Sequence, residues 1–86
     1  MKPILNITQR DFDVLHKIFV RAEGSNKSTH ISYKEFQYDM KSFFQRIKKL
    51  EKLGLLKVIR RTGFKNMYQI TQEGEIFVIK LVALNS

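Results

Sequence analysis

Between Asp39 and Gly54 runs a stretch whose polar and apolar residues separate onto opposite sides of a helix. At about 100° per residue, Met40, Phe43, Phe44, Ile47 and Leu50 fall on one arc. Lys41, Ser42, Gln45, Lys48, Lys49 and Lys52 fall on the other, with Arg46 at the border. Asp39 supplies an N-cap and Gly54 a stop, so the pattern predicts a helix over 39–53. Such a helix must lie on a core with one side and present cations with the other. Two β-prone runs follow, Leu56-Lys57-Val58-Ile59-Arg60 and Asn66-Met67-Tyr68-Gln69-Ile70, flanking Arg61-Thr62-Gly63-Phe64-Lys65. They predict a hairpin over 57–70 with a basic tip that contains a glycine.

The remaining segments are read from caps and periodicity. Thr8-Gln9-Arg10-Asp11 offers a capping-box-like start, after which Phe12, Leu15, Ile18, Phe19 and Ala22 recur at helical spacing. Gly24 is placed to end that helix, residues 24–28 read as a loop, and 29–31 as a very short strand. Ser32-Tyr33-Lys34-Glu35 is a second capping box, leading into a short helix with Phe36 directed inward. A last helix over 72–84 is apolar on nearly every side, through Ile76, Phe77, Val78, Ile79, Leu81, Val82, Ala83 and Leu84. No repeat, low-complexity tract or linker interrupts the order, which predicts one α+β domain over residues 1–86.

Charge narrows the function. From 41 to 65 the chain carries nine basic residues against the single acid Glu51, whereas the rest carries seven of each sign. The whole formal excess of +8 therefore lies in one segment, the asymmetry of a localised anion-binding surface, with a solvated basic face as the plainer reading. Cysteine is absent, which removes disulfides, thiolate metal sites and Cys nucleophiles, and suits an intracellular, cytoplasmic protein. His16 and His30 fall in different elements without metal-ligand spacing or clustered carboxylates, so neither an enzyme nor a metal or cofactor site is expected. His16 borders the apolar face of the first helix and reads as structural, and His30 reads as an exposed loop residue. Asp11 and Asp13 read as first-turn acids favoured by the helix dipole. Gly54, Gly63 and Gly74 are too dispersed to cradle a phosphate. The run 76–84 contains Lys80 and is well short of the roughly 20 residues of a membrane span, and residues 1–7 lack a long apolar stretch of signal-peptide type.

The order of elements, with Ile47-Lys48-Lys49-Leu50-Glu51-Lys52-Leu53-Gly54-Leu55-Leu56 followed by basic residues and then Tyr68-Gln69-Ile70-Thr71-Gln72-Glu73-Gly74, resembles the winged helix-turn-helix regulators of the MarR and PadR type. The resemblance spans most of the chain. It implies a recognition helix ending in the Leu-Glu-x-x-Gly-Leu-like run, a basic β-wing, and a Leu-Thr-x-x-Gly-like signature leading into a dimerising helix. Small stand-alone versions encoded by archaea and their viruses or plasmids look similar. The chain departs from the pattern at Phe44, a position often small or polar in relatives, and in its short C-terminal helix.

On that reading the partner is double-stranded DNA, bound by a transcriptional regulator. The recognition helix would enter the major groove, with Gln45 reading adenine and Arg46 guanine, Lys41, Lys48 and Lys49 on phosphates, and Ser42 in either role. Arg60, Arg61 and Lys65 would reach the minor groove or backbone from the wing. Residues 72–86 form the candidate dimerisation segment, through Ile76, Phe77, Ile79, Leu81, Val82 and Leu84, with Ile4, Leu5 and Ile7 as further apolar candidates. The competing reading has that helix close the core of a monomer. A protein-interaction or RNA and single-strand module is the other functional class, with Phe43, Phe44, Phe64 and Tyr68 available for stacking. Core packing is the expectation for Phe43 and Tyr68, and exposure for Phe64. No constellation suggests a small-molecule pocket.

Overall fold

A computed structural model describes residues 7–60, 63 and 65–85. Its elements are α1 (Gln9–Ala22), β1 (Ser28–Thr29), a single 3₁₀ turn (Tyr33–Glu35), α2 (Met40–Lys52), β2 (Leu56–Ile59), β3 (Met67–Ile70) and α3 (Gln72–Asn85). The result is an α+β arrangement in which three helices cover a three-stranded antiparallel sheet of order β1-β3-β2.

Local signals account for the helix ends. Thr8 Oγ1 accepts the Asp11 N–H at 3.2 Å and Asp11 Oδ2 accepts the Thr8 N–H at 3.0 Å, a reciprocal capping box. Asp39 Oδ1 accepts the Ser42 N–H at 2.7 Å to start α2. That helix ends in a Schellman motif: Gly54, at φ 77°, donates to the Glu51 carbonyl, and Leu55 donates to that of Leu50. At the end of α1 the left-handed position falls on Glu23 (φ 59°), one residue before the expected Gly24.

The second capping box forms as read, with Ser32 and Glu35 bonding each other's backbone. It opens only a 3₁₀ turn, and Phe36 ends that turn in extended backbone instead of lining a short helix. Arg21 of α1 holds the turn in place by a two-pronged ion pair with Glu35. The short strand also sits one residue earlier than expected, at Ser28–Thr29, because its register opposite Gln69 and Tyr68 of β3 is set by pairing.

Leu56 pairs with Ile70 and Val58 with Tyr68 across β2 and β3, and these four side chains face the helices. Leu56, Tyr68 and Ile70 join Val14, Leu15, Ile18, Ile31, Phe43, Ile47, Leu50, Leu55 and Val78 in one core, and the half-buried Val58 packs against it. On α1 the buried stripe is Asp11, Val14, Leu15, Ile18 and Ala22, while Phe12 and Phe19 are only half-buried, so the inward face is turned from the one expected. On α2 the core takes Phe43, Ile47 and Leu50 but leaves Met40 and Phe44 exposed. The apolar arc read from the sequence is wider than the surface α1 and the sheet can cover.

Candidate nucleic-acid interface

Three parallel stripes divide the surface of α2. Lys41, Gln45, Lys48 and Lys52, at spacings of four, three and four residues, are all exposed and form an outward row. Met40 and Phe44 flank that row on one side. On the other, Ser42, Arg46 and Lys49 are half-buried and turned toward α1.

The reason for this turn is Asp11. Its side chain is 0% exposed, and its two oxygens receive Arg46 Nη1 at 3.3 Å and Lys49 Nζ at 2.6 Å. The Arg46 guanidinium also lies over the Tyr38 ring, 5.0 Å from its centroid. Two of the cations expected to contact DNA are thus half-buried and engaged by a buried carboxylate, clamping α2 onto α1. Reading Asp11 only as a dipole-compensating acid misses this role. Its visible counterpart in the sequence is a pair of cations three residues apart at the edge of an apolar arc.

One cation of the hairpin is also engaged by a carboxylate, at the surface. Arg60 makes two hydrogen bonds to Glu51, at 3.2 and 3.1 Å, joining β2 to α2. Lys57 is exposed on the outer face of β2. Lys65 lines a cleft of about 460 Å³ with Lys34, Met40, Phe44 and neighbouring residues, where the hairpin meets the N-terminal half of α2. Arg61 and Phe64 lie outside the described residues, as do Ile4 and Leu5. His30 is not an exposed loop residue: Nδ1 is 2.9 Å from the Asn66 carbonyl, and the ring stacks on Tyr68. His16 stacks on Phe12, 5.5 Å between centroids.

Three carboxylates are held below their ordinary range. Burial is the largest single influence on Asp11 and pushes it up, but the Lys49 ammonium and the Thr8 N–H and hydroxyl together outweigh it. Arg21, with the Ser32 N–H, holds Glu35 at about 2, and Arg60 lowers Glu51. Depressed carboxylates stabilise the fold above their unfolded values, and that contribution disappears as pH falls through the folded ones. Urea midpoints are therefore expected to be flat down to about pH 5 and to drop between about pH 4.5 and 2. Equal midpoints at both ends of that range would show these pairs contribute nothing.

On α3, Ile76, Ile79, Val82 and Leu84 are exposed and Leu81 is half-buried. Phe77 packs against the core of the chain itself, and Val78 belongs to that core. His16, Phe19, Val78, Ile79, Val82 and Ala83 line an apolar groove of about 330 Å³ between α1 and α3. Among the described residues no helix is long and apolar enough to cross a membrane, and no group of three or more His, Asp or Glu is placed to hold a metal ion. Compared with known families, curated proteins and solved structures, the chain finds no match.

Proposed function

We propose that this protein is a winged-helix regulator of the MarR and PadR kind, binding duplex DNA as a homodimer. The observation that carries the reading is the outward row Lys41, Gln45, Lys48 and Lys52 on a helix capped at both ends and pinned to the body of the fold. A rigid helix with cations and one amide on its open side suits the major groove. Gln45 is the reader of an adenine edge, and Lys41, Lys48 and Lys52 hold phosphates. Ser42, half-buried near the N-terminus of α2, supports the phosphate contacts. Lys65, beside the hairpin, reaches the flanking backbone as part of the wing. Arg46 and Lys49, engaged by Asp11, orient the helix and contribute less to reading bases. Burial of Phe43 and Tyr68 removes two of the four aromatics on which single-strand stacking would depend.

The exposed apolar side chains of α3 support the dimer, since Ile76, Ile79, Val82 and Leu84 find no cover within one copy of the chain among the described residues. A twofold pair would set two recognition helices about 34 Å apart, hence an inverted-repeat operator.

The test is a fluorescence-anisotropy titration of a random duplex library at two salt concentrations, alongside sedimentation at micromolar protein. A selected inverted repeat, a dimer, and a steep loss of affinity with salt are expected. Gln45→Ala should relax the preferred motif, whereas Lys48→Ala should weaken all duplexes alike and reduce the salt slope by about one. Uniform losses from both variants would remove Gln45 from sequence readout. Failure of every duplex to bind would overturn the DNA reading, and a monomer would assign α3 to the protomer alone.

A further inference from the structure

The open side of α2 carries two apolar side chains that the core does not use. Met40 is 52% exposed and Phe44 38%, four residues apart on one side of the helix. Phe44 is not loose: its ring meets that of Phe43 in an edge-on contact, with centroids 5.3 Å apart and planes at 70°. The core side thus fixes the ring while its outer surface stays open. Cations surround it. Lys41 and Lys48 stand three residues before and four after it on α2, and Lys34 and Lys65 line the cleft onto which Met40 and Phe44 open.

An apolar patch ringed by lysines complements a surface that is strongly anionic yet offers apolar groups between its charges. The major groove of duplex DNA has that character, because each thymine projects a C5-methyl between two rows of phosphates. We propose that Phe44, assisted by Met40, is a specificity-determining residue that selects thymine by packing on its C5-methyl group. The inference rests on the duplex-binding reading above and names part of what that interface reads. Gln45 is the next residue on the helix, so an adenine reader and a thymine reader stand side by side, and the preferred site is rich in A·T pairs.

The test uses the tightest duplex selected from the random library and the same duplex with every thymine replaced by deoxyuridine, which removes the methyl groups and leaves the pairing intact. Loss of one buried methyl corresponds to about a fourfold change in affinity. The wild-type protein is expected to bind the uracil duplex at least about fourfold more weakly. Phe44→Ala should weaken the thymine duplex by a similar factor and bind both duplexes equally, and Phe44→Leu should retain part of the preference. Phe44→Ala gives up the edge-on contact with Phe43, so the variant should melt somewhat lower by circular dichroism yet stay folded at the temperature of the titration, and comparing the two duplexes within the same variant separates the lost preference from the lost stability. Equal wild-type binding to the two duplexes, or a full thymine preference surviving in Phe44→Ala, would overturn the proposal while leaving the duplex-binding reading intact. Absence of salt-sensitive duplex binding would overturn both.

Discussion

Gly74→Ala is expected to destabilise the fold by about 3 kcal/mol and to lower its melting temperature by roughly 10–20 °C. A Cβ at this position would lie 2.1 Å from the Leu55 carbonyl oxygen and 2.7 Å from Ile70 Cγ1. Moving that carbonyl away would disturb the hydrogen bond it accepts from the Thr71 N–H at 3.2 Å. Thr71 bolts the same corner a second time: its hydroxyl accepts the Gly74 N–H at 3.0 Å and donates to the Gly54 carbonyl at 2.7 Å. The start of α3 is therefore pressed onto the turn that ends α2, and only a residue without a side chain fits between them. Alanine's helix propensity returns about 1 kcal/mol, less than the clash removes. Gly54→Ala is the control, since nothing lies within 4 Å of its Cβ position and only its left-handed backbone is strained, at about 1–2 kcal/mol. Calorimetry in which the Gly74 variant melts no lower than the Gly54 variant would contradict the close approach.

Asp11→Ala is the second large effect, expected at about 2–3 kcal/mol. Breaking a fully buried ion pair by removing one partner costs about 3–5 kcal/mol. Here Arg46 and Lys49 keep 20% and 34% of their side-chain surface in contact with solvent, so both can turn outward when the carboxylate is gone, and the lower figure applies. The variant also loses half of the capping box at the start of α1. Asp13→Ala, two residues away but exposed and bonded, among the described residues, only to Gln9 at 2.9 Å, should change stability by less than about 0.5 kcal/mol. Chemical denaturation separates the two, and a shared midpoint would show that the buried carboxylate contributes no more than its exposed neighbour. Release of the two cations carries a second signature, later elution of Asp11→Ala from immobilised heparin.

Both residues act on the placement of α2. Gly74 lets α3 and the sheet close on its C-terminal turn, and Asp11 draws its inner cations against α1. The row of Lys41, Gln45, Lys48 and Lys52 is left exposed on the opposite side of the helix.

Much of this fold is legible in one dimension because the forces that set it are local. Thr8, Ser32, Asp39 and Gly54 mark helix and turn ends through hydrogen bonds spanning three to five residues, and β-prone residues in 56–60 and 66–70 mark two strands. The clustering of charge between 41 and 65 is likewise a property of the chain itself. What the residue order does not contain is how the elements approach one another. Asp11 and Arg46 are 35 positions apart, and their pairing exists only because α1 crosses α2 with those faces together. The same crossing leaves Phe44 outside a core that its periodicity suggested it would join, and the pairing of β1 with β3 brings His30 onto Asn66 and Tyr68. Periodicity states which residues share a side of a helix; which part of that side is covered depends on the finite area of the neighbour that packs on it, and only the tertiary structure decides that.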